Sequence, residues 1–253
     1  RGLGDVYKRQ SVGCPPGTLA NNFWPAFGNT LFFTLVTVLL ETILGIGMAL
    51  VMAKDFHGRG LLRAAVLVPW AIPTAITAKL WAFLFSEQGI VNSIFHAHVA
   101  WQTDPWAARF SIILADVWKT TPFMALLILA GLQMIPKDLY EAARMDGANA
   151  WQRFTRITLP LAKNSIIVAV LFRMLDALRM YDLPYIMVGP NPDSPTATLS
   201  QLVVAAIRQD HVNAASALST LIFLLIFLIA LCFVKSLGSK VAHQAEPVVA
   251  EEE

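Results

Sequence analysis

Long apolar runs alternate with short polar links along this 253-residue chain. Five runs approach the roughly 20 residues that a bilayer requires: Thr30–Ala53, Leu61–Phe85, Phe110–Met134, Ser165–Val188 and Ala214–Val234. They predict five membrane-spanning helices and an all-α, polytopic transmembrane bundle. Pro69, Pro73, Pro122 and Pro184 fall within or near these runs. Membrane helices tolerate proline where neighbouring helices or water satisfy the freed carbonyls.

The longest polar link lies between the third and fourth runs, at 135–160. Pro136 suits a first helical position, where its missing N–H costs nothing. Leu139, Ala142, Ala143 and Asp146 follow at i, i+3, i+4 and i+7 and share one face. Small Ala142 and Ala143 would let another surface approach closely. Gly147 can take the left-handed conformation that ends a helix. A second short helix is predicted from about Asn149 to Thr158, with Trp151, Phe154 and Ile157 on one side and Leu159-Pro160 closing the unit.

Positive charge sets the orientation. Lys54, Arg59 and Arg63 mark one link, and Lys137, Arg144, Arg153, Arg156 and Lys163 mark the 135–160 segment. Lys235 and Lys240 follow the last run. These three regions are predicted to be cytoplasmic. The intervening loops mix Arg109 and Arg208 with Glu87, Asp104, Asp193 and Asp210, and are predicted to face outward. Five spans then leave residues 1–28 outside, against the basic Arg1, Lys8 and Arg9. That segment reads as an external or non-native leader, and 241–253 as an acidic cytoplasmic tail.

Composition narrows the class further. The chain is 56% hydrophobic and only 14% charged, against about 25% charged in a soluble domain. Its net charge of +2 carries no sign of a nucleic-acid partner. Cys14 and Cys232 form neither a disulfide framework nor a ligand spacing, and His96 and His98 lack a third ligand nearby. No G-x-x-x-x-G-K-[ST] phosphate loop and no H-E-x-x-H occur.

Two polar clusters fall within the runs, where such residues are functional candidates by default. Asp116, Lys119, Thr120 and Phe123 share a face of the third. Arg173, Asp176 and Met180 share a face of the fourth, with Arg179, Tyr181 and Asp182 beside them. Carboxylates and guanidinium groups can bind sugar hydroxyls while aromatic rings cover a pyranose face, which is the chemistry of a polar pocket in an apolar cavity. Equally, these charges can pair and tie helices together. Glu41 shows no partner in the sequence; Gly45 and Gly47 beside it permit close helix approach. Trp70, Trp81, Trp101 and Trp106 suit membrane interfaces.

Three pieces in order carry a family resemblance: Glu141-Ala142-Ala143, Asp146-Gly147-Ala148, and Ile157-Thr158-Leu159-Pro160. Together they resemble the EAA loop of ABC-importer permeases. The stretches Asp55–Ala64, Leu67–Pro73 and Phe172–Asp182 are similar to the sugar-permease branch, and the resemblance runs from about Asn29 onward. Val188-Gly189-Pro190-Asn191-Pro192 stands where that branch usually has Thr-Gly-Gly-Gly-Pro.

The resemblance implies a permease domain over 29–240, its loop at 135–160 docking into a separate ATPase through Glu141, Ala142, Ala143, Asp146 and Gly147. It implies six spans in the complete protein. By position relative to Glu141 and Pro160, it implies substrate contacts at Asp116, Thr120, Phe123, Asp176, Ala177 and Met180. Lys119, Arg173 and Tyr181 complete the candidate set. The implied partners are a second permease, two ATP-binding subunits that hold the ATP and Mg, an extracytoplasmic solute-binding protein and membrane lipid. This chain would hold no cofactor of its own and perform no covalent chemistry. An ion-coupled secondary transporter is the alternative, but it predicts inverted repeats that the sequence lacks.

Overall fold

The structure, a computed structural model, describes residues 19–96 and 98–242, and every regular element in them is helical. Cys14, the basic residues Arg1, Lys8 and Arg9, and the acidic end from 243 onward lie outside the described residues. Helix α1 (Leu19–Ala53) begins before the first predicted run, so residues 19–28 belong to it. Phe23, Ala26 and Phe27 pack this early part against α10 (Leu199–Arg208) and α11 (Val212–Ala242).

The second predicted run is not one straight helix. It divides into α2 (Arg59–Ala71) and α3 (Thr74–Leu84), which meet at 87°. Pro73 is the cause. Its ring disfavours helical geometry at the preceding residue, and Ile72 is extended, with ψ 131°. Short α4 (Ile90–Phe95) leads to α5 (Pro105–Gln133). The Asp104 side chain caps α5, accepting from the N–H groups of Trp106 and Ala107 at 3.0 and 2.8 Å, with Pro105 next to it.

Helix α5 is the central post and packs most extensively against α1. Gly45 allows the approach: a Cβ there would meet Met124 Cβ at 3.1 Å. A Cβ on Gly131 would overlap Ser165, the first residue of the fourth apolar run. The second glycine of the predicted pair, Gly47, faces open space.

Helix α6 (Lys137–Met145) follows, with Pro136 as its N-cap rather than its first residue. Helix α7 (Ala150–Arg153) is capped reciprocally by Asn149 and Gln152, each bond 2.8 Å. It does not end at Thr158. It runs through a π turn (Phe154–Thr158) into α8 (Leu159–Ala177), and Leu159-Pro160 lies inside the continuous helix. Proline within a helix removes one hydrogen bond and crowds the carbonyl four residues back. The widened turn, with Leu159 N–H bonded to Phe154 O, accommodates it.

The fourth span therefore covers Ala150–Ala177, not Ser165–Val188. A turn follows at 178–181, then α9 (Asp182–Met187). Gly189 takes φ 121° in the loop before α10. Four described helices are long and apolar enough to cross a membrane, or five spans if α2 and α3 count as one.

Candidate functional site

The helices that meet at Arg173 bring the two polar clusters together. Helix α1 presents Thr30, Thr34, Thr37 and Glu41, a buried stripe along its side facing α5. Thr30 and Thr34 donate their hydroxyls to carbonyls one turn back, at 2.8 and 2.7 Å, which makes them tolerable in an apolar interior. At the end of this stripe Glu41 is fully buried, and its partner comes from a distant helix. Arg173 Nη2 lies 3.0 Å from Glu41 Oε1, and Arg173 Nε bonds Oε2. Glu41 thus sits inside the fold in a fork-on-fork pair, the strongest geometry available to arginine. It is not the partnerless residue that the sequence suggested.

Arg173 also bonds Asp116 of α5, and the single Thr120 hydroxyl proton lies within reach of two acceptors, Glu41 Oε1 and, at 2.7 Å, the Asp116 carbonyl. Its third carboxylate is Asp176, 3.2 Å from Nη1. The three carboxylates differ in surroundings. Glu41 and Asp116 have side chains 0% and 6% exposed, whereas Asp176 is 62% exposed and has Arg179 at 3.6 Å. Asp176 is the open edge of an otherwise closed cluster.

Lys119 was expected either to bind a ligand or to pair with a carboxylate. Its ammonium lies on backbone instead, 2.6 Å from Ile72 O and 3.4 Å from Trp70 O. Those carbonyls are freed where α2 breaks from α3, so a cation on this helix end meets both hydrogen-bonding need and helix dipole. Phe123, one turn along α5, stacks on Trp70 with centroids 5.7 Å apart. Trp70 is half-exposed. Sequence reasoning assigned it only to the interface, because a break that folds α2 against α5 is invisible in hydropathy.

The remaining candidates follow Asp176 in sequence and bond or pack elsewhere than on Arg173. Ala177 is buried at the end of α8. Helix α8 stops there, so Met180 does not continue the face of Arg173 and Asp176. It packs with Phe33, Ala78 and Leu183, and its carbonyl accepts from Thr198 at 2.8 Å. Tyr181 stacks on Tyr185, with centroids 4.9 Å apart. None of these candidates lines the cavity of about 450 Å³ bounded by residues including Asn29, Phe32, Trp106, Arg109 and Asp193. Arg109 braces it, bonded to Asn29 Oδ1 at 3.1 Å and Pro195 O at 3.0 Å.

The 135–160 segment has the opposite character. Glu141, Ala142, Asp146 and Gly147 are exposed, and Ala143 is half-buried. Glu141 and Asp146 form no ion pair among the described residues. Gly147, at φ 76°, closes α6: its N–H bonds Arg144 O at 3.0 Å, and Ala148 N–H bonds Ala143 O at 2.9 Å. This is the paired Schellman arrangement, which needs a left-handed residue where Gly147 stands. Arg153 bonds Ala148 O at 2.6 Å, and the Tyr140 and Thr158 hydroxyls lie 3.0 Å apart. Tyr140 and Ile157 also pack on the core formed by α1, α5 and α8. These contacts join α6 to the start of the helix that carries Arg173. At the same end, Lys137 lies 3.1 Å from Asp55 of the 54–60 link. Its hydrogen bond and charge, with Arg59 beside them, hold the Asp55 carboxyl below the usual carboxylate range.

Over residues 41–243 the chain matches the family of binding-protein-dependent transport system inner membrane components, and it belongs to that family. It is a multi-pass membrane subunit of a transporter rather than an enzyme. It is 44% identical over 221 residues to the trehalose/maltose transport system permease protein MalF of Thermococcus litoralis, covering 85% of this chain and 75% of that one. It is 39% identical over 219 residues to the trehalose transport system permease protein SugA of Mycobacterium tuberculosis, covering 86% and 71%. A solved bacterial ABC transporter involved in the import of the acidic polysaccharide alginate superposes with a TM-score of 0.78. It shares 26% identity and covers 86% of this chain and 79% of its own.

Proposed function

We propose that this chain is the permease subunit through which a binding-protein-dependent ABC importer moves a sugar, a di- or oligosaccharide, using ATP hydrolysed on separate subunits. The complex contains a second permease, two ATPase copies that hold ATP and Mg, and an extracytoplasmic solute-binding protein. The 135–160 loop, the 54–60 link and the C-terminus face the cytoplasm. The sugar assignment is supported by relatives named for trehalose and maltose.

One observation carries the mechanism. The exposed motif on α6 is joined by the Gly147 turn and the Tyr140–Thr158 contact to a helix continuous from Ala150 to Ala177, whose far part holds Arg173. Glu141, Ala142, Ala143, Asp146 and Gly147 form the ATPase-docking surface. When the ATPases close, α6, α7 and α8 follow as one body and turn the bundle outward. The binding protein then releases sugar into the cavity, and hydrolysis resets the inward-facing state.

At the open edge of the Arg173 cluster, Asp176 accepts hydroxyl hydrogen bonds, and Phe123 with Trp70 supplies an aromatic wall. Asp116, Thr120 and Arg173 form the polar floor behind Asp176. Lys119 holds the broken span in place, and Ala177, Met180 and Tyr181 shape the end of the site.

Uptake of labelled trehalose and maltose by the complete complex in proteoliposomes tests this reading. ATP-dependent and binding-protein-dependent accumulation of either sugar is expected. Accumulation driven by an ion gradient without ATP would overturn it.

A further inference from the structure

The cluster holds three carboxylates around one guanidinium, and the two that Arg173 grips from other helices are both out of reach of solvent. A lone Arg173 on α8 would have one local partner, Asp176, three residues along the same helix. Arginine facing a single exposed carboxylate would occupy both of its oxygens and neutralise it. The geometry avoids this. Glu41 takes Nε and Nη2, Asp116 shares Nη2, and only Nη1 is left toward Asp176, at the longest distance of the set. Asp176 therefore keeps acceptor capacity on the one face that is open. Arg179, at 3.6 Å and itself 68% exposed, is too loosely placed to fill it.

We infer that Glu41 is a positioning residue for the substrate site: by drawing Arg173 into the bundle, it leaves Asp176 as the carboxylate that meets the hydroxyl groups of a neutral sugar. This rests on the sugar-permease reading above. Glu41 does not touch sugar and acts through Arg173 alone. Removing its charge lets the guanidinium turn toward Asp176 and close the acceptor face.

The test is a double-mutant cycle in the complete reconstituted complex, with trehalose and maltose as probes. Glu41→Gln keeps size and removes charge; Asp176→Asn removes the charge and replaces one of the two acceptor oxygens by a donor. Each single variant is expected to lower sugar uptake per assembled complex about tenfold. The double variant is expected to be no worse than either, because both act on the same oxygen atoms. Glu41→Asp keeps the charge and is expected to recover most of the uptake. Additive losses, or normal uptake in Glu41→Gln beside a defective Asp176→Asn, would overturn the inference. So would loss of assembled complex in step with uptake in both Glu41 variants, which assigns Glu41 to packing. Normal uptake in Asp176→Asn alone instead removes the sugar site from this face, a failure of the underlying reading.

Discussion

The Arg173 cluster and the α6 loop are both rich in charge, but one is closed on itself and the other is open. Around Arg173, charges from α1, α5 and α8 satisfy one another inside the bundle. On α6, Glu141 and Asp146 are exposed and use no ion pair among the described residues. The difference separates two kinds of buried and unburied polarity. A satisfied internal cluster reports how the helices are held; the exposed acidic and small-residue segment has the character that the proposed docking surface requires. The continuous helix from Ala150 to Ala177 joins the two.

The comparison breaks most sharply at Arg173. Arg173→Met leaves Glu41 and Asp116 buried without their cation, and stranding buried charge costs about 3–5 kcal/mol. The expected result is loss of folded, assembled protein, read as complex recovered by co-purification with the partner subunits. Wild-type recovery would show that the cluster does not hold the helices.

A smaller effect separates the two aspartates. Asp176→Ala removes an exposed acceptor, whose charge-assisted hydrogen bonds are worth about 1.5–3 kcal/mol. Uptake is expected to fall roughly tenfold to a hundredfold with assembly intact. Asp116→Ala removes a carboxylate buried against Arg173, and is expected to lower assembly as well as uptake. Equal assembly of the two variants would erase the distinction between floor and open edge.

The smallest effect belongs to the surface bridge of Asp55 and Lys137. Exposed pairs contribute little. Because the folded state lowers the Asp55 pKa, its contribution is present above the ordinary carboxylate range and is lost as pH falls through the folded value. Asp55→Asn is expected to change uptake by less than about twofold near neutral pH and not at all in acid, measured as the ratio of variant to wild type across pH. A larger defect would make the 54–60 link part of the docking surface.

Much of the 135–160 loop was legible because its signals are local. Proline, the small-residue face and Gly147 each act within one turn, and the structure places the helix end where Gly147 predicted. The all-α class followed from apolar run length alone, as did the count of five spans where α2 and α3 are taken as one. The ion cluster was half legible: Asp116, Arg173 and Asp176 stood out as charges at membrane depth, but Glu41 found its partner 132 residues away, a separation that no periodicity reports. The roles of Lys119 and Trp70 depend on the break at Pro73. The proline was visible, but not which helix the break would fold against. The end of α8 at Ala177 was missed because apolar residues resume between and after Arg179 and Asp182 and carry the run on into α9.

The central claim is that α6 and α8 move as one body between ATPase and cavity, and Gly147 is where it is most exposed to test. A Cβ there meets open space, so a substitution acts through the backbone: a left-handed residue other than glycine costs about 1–2 kcal/mol, and branching at Cβ adds to it. The measurement is sugar accumulated per ATP hydrolysed by the complete complex carrying Gly147→Val. The account predicts continued hydrolysis with accumulation reduced at least about tenfold, a factor equal to about 1.4 kcal/mol. Wild-type accumulation per ATP would contradict it.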